Sequence, residues 1–143
     1  LVTNGTFDQL VGWDTWAQDW DNAPTLSLDV IDGELVIDMD VLGDEPWSIQ
    51  LFQSVMLNPN ATYTMMFDMR AEVERDINFK IIADGQEVGD TFSVTQEMQT
   101  FVHTFEYNIN AESGNINFEF GNLEGAEPGA ITIDNVILFR NFN

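Results

Sequence analysis

The chain has 143 residues, 25 of them Asp or Glu against four Lys or Arg, for a formal net charge of −21. Nucleic acid and anionic membranes are poor partners for such a chain, since both require a basic surface. With no cysteine there is neither a disulfide framework nor a thiolate metal site, and no apolar run reaches the roughly 18 residues that span a bilayer.

The length fits one domain, residues 1–143, and it buries enough surface for a core without staples. The start at Leu1, on an apolar residue and without a signal peptide, reads as a mature or excised piece. Eleven of the acids lie in the first 45 residues, where no Lys or Arg occurs. That distribution points to a salt-rich habitat or to calcium, and most of the acids read simply as a solubilising surface.

In chain order the pattern is strand after strand. Leu26, Leu28 and Val30 alternate with Ser27 and Asp29, and Leu35, Ile37 and Met39 with Val36 and Asp38. Pro46–Gln53 (PWSIQLFQ) has the composition of a strand opened by Trp47, with no acid in it. Tyr63, Met65, Phe67 and Met69 alternate with Thr64, Met66, Asp68 and Arg70, and Ile116, Phe118 and Phe120 with Asn115, Asn117 and Glu119. A period of two with β-branched and aromatic enrichment predicts half-buried strands. Turn signals fall at Asp32-Gly33, Leu42-Gly43-Asp44, Asn58-Pro59-Asn60, Asp84-Gly85, Ser113-Gly114 and Glu127-Pro128-Gly129. No amphipathic helix is visible. The fold class is all-β, a two-sheet antiparallel sandwich or jelly roll.

One outer face of such a sandwich is unusual for so acidic a protein. Asn115, Asn117 and Glu119 point away from the core side of their strand, as do Asn78 and Lys80 on the strand INFKIIA. Amides both donate and accept, as paired sugar hydroxyls require, and indole rings offer flat apolar area to the C–H faces of pyranoses. A groove floored by amides, a lysine and a carboxylate and walled by tryptophan is sugar-binding chemistry.

Five stretches carry a family resemblance: Asn4–Asp8 (NGTFD), Gly12–Trp16 (GWDTW), PWSIQLFQ, Tyr63–Asp68 (YTMMFD) and Ile133–Val136 (IDNV). In this order they resemble the carbohydrate-binding modules of family four and its relatives in families nine, sixteen and twenty-two, across essentially the whole chain. The resemblance implies a non-catalytic jelly roll, a monomer appended to a larger secreted glycanase. A polysaccharide or oligosaccharide would lie in a cleft across a concave sheet, with a structural calcium elsewhere.

Position by position, the resemblance implies Trp16 at one end of the cleft and Trp47 as an aromatic wall. Gln50 and Gln53 would be polar contacts on the floor strand, Lys80 a basic floor residue, and Asn115 and Glu119 a polar pair four residues apart near the last cleft strand. Strict alternation puts Gln53 with Ile49 and Leu51, so a bulge is needed if Gln50 and Gln53 both reach ligand. The loop Asp84–Asp90 lacks the aromatic that often forms the opposite wall; Gln86 is a polar substitute there, or Phe92 serves, or the cleft is one-sided. Trp13 reads as core, and Trp20 as either cleft rim or loop packing. Asp8 and Asp134, with Asp32 or Glu34 of the turn DGE, are the calcium candidates, because that ion takes six to eight oxygen ligands. His103, the only histidine, reads as a satisfied sheet residue and gives transition-metal catalysis little support.

The expected ligand is a soluble β-glucan, with β-1,3-, mixed or β-1,4-linkage, and xylan is the second choice. A small jelly-roll glycanase is the rival in another class, but it needs two carboxylates set across the scissile bond, and Glu119 has no evident partner. A calcium-dependent adhesion domain without a sugar ligand is the third reading.

Overall fold

The computed structural model describes residues 2–7 and 12–142. Ten strands are described: β1 (Asp14–Ala17), β2 (Leu26–Ile31), β3 (Glu34–Met39), β4 (Ile49–Met56), β5 (Ala61–Ala71), β6 (Arg75–Ala83), β7 (Gln86–Val94), β8 (Gln99–Tyr107), β9 (Ser113–Glu119) and β10 (Gly129–Asn141). A single 3-10 turn, Pro46–Ser48, precedes β4. The strands form two five-stranded sheets, β1-β4-β9-β6-β7 and β2-β3-β10-β5-β8, antiparallel throughout. This is the expected β-sandwich, and among the described residues no helix is long and apolar enough to cross a membrane.

The period-two residues decide which face is inside. Ile49, Leu51, Ile77, Phe79, Ile81, Ile116 and Phe118 of the first sheet meet Leu35, Ile37, Tyr63, Met65, Phe67, Met69, Ile131 and Ile133 of the second, all buried. Phe67 is the hinge of this packing, edge-on to Phe118 at 5.1 Å and tilted against Phe79 at 6.4 Å. Alternation leaves the intervening residues of each strand facing out.

Two hairpins turn on the dipeptides that suggested them. Asp32-Gly33 and Asp84-Gly85 both have positive φ at each residue, the combination that matches the twist of paired strands. Ser113-Gly114 is different: it opens β9 instead of turning. A Cβ on Gly114 would stand 2.9 Å from Ile82 O and from Ala83 Cβ, so the glycine there serves close strand approach.

The two terminal motifs meet. Val136 N donates to Gly5 O at 2.9 Å, beside a bulge between Asp134 and Ile137 where Asn135 takes φ 50°. Trp13 stacks on Phe7 at 5.4 Å, lies 6.3 Å from Phe118, and donates from Nε1 to Asn4 O. It packs against the core, as its position in GWDTW predicts.

Candidate functional site

The outer face of the first sheet is built in rows, because antiparallel register sets side chains of equal parity opposite one another. One row runs Trp16, Gln50, Glu119, Asn78, Thr91 across all five strands. The next runs Asp14, Phe52, Asn117, Lys80, Gly89. A third holds Ser54, Asn115, Ile82 and Glu87. Four inter-strand spacings of about 4.8 Å make the rows roughly 19 Å long, a span for several sugar units.

Hydrogen bonds tie the rows into one surface. Gln50 Nε2 donates to Trp47 O at 2.8 Å and Asn117 Nδ2 to Gln50 Oε1 at 3.0 Å. Thr91 Oγ1 donates to Asn78 Oδ1 at 2.6 Å, and Asn78 Nδ2 to Glu119 Oε1 at 3.2 Å. Lys80 Nζ sits between two carboxylates, 3.1 Å from Glu87 and 3.3 Å from Glu119. Burial pushes the Lys80 pKa down, but the hydrogen bond to Glu87 and the charge of Glu119 outweigh it and raise it. Glu119 is only 2% exposed. Asn117 Oδ1 is enclosed and accepts no hydrogen bond among the described residues.

At the β1 end stand three tryptophans. Trp16 lies 6.0 Å from Trp20 and 6.2 Å from Trp47, and Trp20 lies 6.1 Å from Trp47, with ring planes tilted by 53°, 38° and 47°. They are 39%, 47% and 40% exposed, which is unusual for large aromatics grouped in one patch. At the β7 end is a shallow depression of about 440 Å³ bordered by Asn78, Lys80, Glu87, Gly89 and Thr91. The face therefore has an aromatic wall at one end and a polar hollow at the other.

The structure brings together Trp16, Trp47, Gln50, Lys80, Asn115 and Glu119 on this face. Two expected contacts lie elsewhere. Gln53 follows the alternation inward with no bulge: it is buried, accepts from Thr3 N at 2.6 Å, and donates to Thr3 O and Gly12 O at 2.7 and 2.8 Å. It latches the N-terminal segment to β4 and faces away from the rows of the outer face. Gln86 pairs with buried Ala83, so alternation turns it away from the floor, and Glu87 takes the floor position, reached by Lys80. Phe92 likewise turns inward, edge-on to Phe67 at 5.4 Å, so no aromatic of β7 walls the far side. Phe52, Thr91 and Glu87 are floor residues that motif matching passed over. The parity that places Ile49 and Leu51 inside puts Phe52 beside Gln50.

The calcium candidates are described in part. Asp32 is an exposed turn residue, Glu34 is 3.9 Å from Arg70, and Asp8 lies outside the described residues. Among the described residues no group of three or more His, Asp or Glu side chains is placed to hold a metal.

Exposed tryptophans beside a ladder of amides on one sheet of a β-sandwich define a carbohydrate-binding module, a protein that holds sugar and does not cleave it. The chain belongs to the CBM_4_9 family, the carbohydrate binding domain whose model matches residues 1–128. A solved structure described as "CBM4 structure and function" is 28% identical over 99% of this chain and 100% of its own, with a TM-score of 0.88. The N-terminal cellulose-binding domain of Cellulomonas fimi β-1,4-glucanase C shares the fold at 18% identity, over 99% of this chain and 97% of that one, with a TM-score of 0.71. So does a structure described as "BiXyn10A CBM1 APO", at 17% identity, over 94% and 93% of the two chains, with a TM-score of 0.77. No curated protein matches the sequence significantly.

Proposed function

We propose that this module binds single chains of a soluble β-glucan across the outer face of the β1-β4-β9-β6-β7 sheet. One observation carries the reading. The tryptophan cluster is exposed at one end of a row whose remaining members, Gln50, Glu119, Asn78 and Thr91, are polar and in register. Indole faces supply apolar contact to sugar rings and the row supplies paired donors and acceptors. In this reading the module is a monomeric part of a larger secreted glycanase and holds that enzyme on its substrate.

Affinity electrophoresis against barley β-glucan, laminarin, hydroxyethylcellulose and xylan tests the proposal. Retardation by one or more glucans is the expected result. Retardation by xylan alone, or by none of the four, would overturn the glucan assignment.

A structural calcium belongs to the same proposal. Asp134, whose Oδ1 is enclosed by protein, and Asp8 are the remaining side-chain candidates, with backbone carbonyls to complete the shell. At a hundredfold saturation such an ion adds about 2.7 kcal/mol. An unchanged melting curve after chelation at matched ionic strength would remove it.

A further inference from the structure

The three tryptophans come from two segments far apart in sequence, Trp16 in β1 with Trp20 just beyond it and Trp47 in the 3-10 turn, and something must hold their rings in one cluster. Gln18 lies between Trp16 and Trp20 in the chain and is only 1% exposed. Its side-chain oxygen accepts from Ser48 Oγ at 2.8 Å and from Asp44 N at 2.9 Å. Its side-chain nitrogen donates to Asp44 Oδ2 at 2.9 Å and to Asp21 O. Those four bonds use the whole capacity of a carboxamide, two donors and two lone pairs. Its backbone N also donates to Ser48 O at 2.9 Å.

Each partner leads to a tryptophan. Ser48 is the neighbour of Trp47 in the 3-10 turn, and it caps that turn by accepting from Glu45 N at 2.9 Å. Asp21 adjoins Trp20. Asp44 extends the network by accepting from Asn22 Nδ2 at 3.1 Å. The space is closed as well: Gly43, with φ 77°, has no room for a Cβ, which would stand 2.5 Å from Ser48 Cβ and 2.9 Å from Gln18 Oε1. The network is thus a packed, fully satisfied joint between the segment that carries Trp16 and Trp20 and the segment that carries Trp47.

We propose that Gln18 is a positioning residue for glycan binding: its buried carboxamide locks the two segments together beyond the end of β1 and so sets the tryptophan cluster. It touches no sugar itself. The inference rests on the glucan reading for its binding arm alone, because the cluster's geometry can be measured without ligand.

Gln18→Glu is the discriminating variant. It keeps the shape and the two acceptor positions but replaces the donor to Asp44 Oδ2 and Asp21 O with a carboxylate oxygen, setting anion against anion. Asp44→Asn in that background returns a donor, reversing the polarity of the same contact. Near-UV circular dichroism reads the mutual orientation of the indoles, thermal melting reads the fold, and affinity electrophoresis in barley β-glucan reads binding.

The expected result for Gln18→Glu is a cooperative melt, a diminished tryptophan signal and glucan affinity reduced about tenfold or more. Both the signal and the affinity should recover substantially in Gln18→Glu/Asp44→Asn. A parental tryptophan signal in Gln18→Glu would overturn the inference, as would a lost signal that the second substitution fails to restore. If Gln18→Glu does not fold, Asp44→Asn alone decides, since it leaves one oxygen where Gln18 and Asn22 now each have their own. A weakened tryptophan signal in that folded variant supports the joint and an unchanged one overturns it. Should the parent protein bind none of the glucans, the glucan reading fails while the tryptophan signal still judges Gln18.

Discussion

Replacing Trp47 by alanine tests the aromatic wall directly. A tryptophan side chain carries up to about 250 Å² of surface, so 40% exposure leaves about 100 Å² for a sugar to cover. At about 25 cal/mol per Å² that area is worth at most about 2.5 kcal/mol. A pyranose covers one face of the ring and its hydroxyls keep some water, so about half is a fair expectation, close to the 1.4 kcal/mol that changes affinity tenfold. The fold should survive, because Trp47 stands on a surface turn against two other exposed rings and not against the core. Calorimetric titration with a glucan hexasaccharide, paired with a thermal melt, should show a loss of about tenfold in affinity and a melting shift of only a few degrees. Trp16→Ala/Trp47→Ala should cost less than the sum of the two single changes, since neighbours at 6.2 Å share one surface. Parental affinity in Trp47→Ala, or a collapse of the melt, would show that the ring is not a binding wall.

Three other substitutions separate the floor from the frame. Trp13→Ala should destabilise the protein by about 3 kcal/mol, because it removes the stack on Phe7 and the bond to Asn4 O; a melt within two degrees or so of the parent would contradict that. Gln53→Leu should lower stability by about 1–3 kcal/mol, through unpaired groups on Thr3 and Gly12, while a folded sample binds glucan as the parent does. Lys80 is tested by alkali. Its folded pKa lies above the ordinary 10.5, so its contribution to stability is complete below that value and is lost as pH rises through the folded pKa. The melting difference between the parent and Lys80→Met should therefore be larger at pH 8 than at pH 11, and an equal difference at both would refute the pairing with Glu87 and Glu119.

Much of the frame is legible in the sequence because alternation is local. Phe67, Phe79 and Phe118 reach the core by the same period of two that sends Gln50, Asn78 and Glu119 outward. The same rule, applied strictly, turns Gln53 inward; motif position suggested the opposite, and geometry followed alternation. Gln86 misled for a related reason: a two-residue turn at Asp84-Gly85 pairs Ala83 with Gln86, and this fixes the parity of all β7. What alternation cannot supply is the meeting of distant loops. Trp20 could be read as either rim or packing, because its partners Trp16 and Trp47 are brought to it through Gln18 and Ser48, 30 residues apart.

The bonding of the floor bears on how the module divides affinity from selectivity. Gln50 is already bonded to Trp47 O and Asn117, and Asn78 and Lys80 both reach Glu119, so a sugar hydroxyl that bonds to them replaces existing bonds or adds to remaining lone pairs. Exchange of this kind yields a small net gain, about 0.5–1.5 kcal/mol for a typical bond, yet a hydroxyl in the wrong place leaves a desolvated group unpaired and costs more than that. The pre-bonded ladder thus holds the polar groups in fixed positions without spending ligand energy to order them. Net attraction then has to come chiefly from apolar area, and the three tryptophans gather it at one end of the face. Selectivity among glycans should follow the ladder, and strength the cluster. Changes to Gln50 or Asn78 should reorder the preference among polysaccharides more than they lower the best affinity, whereas changes to Trp16, Trp20 or Trp47 should weaken every ligand together.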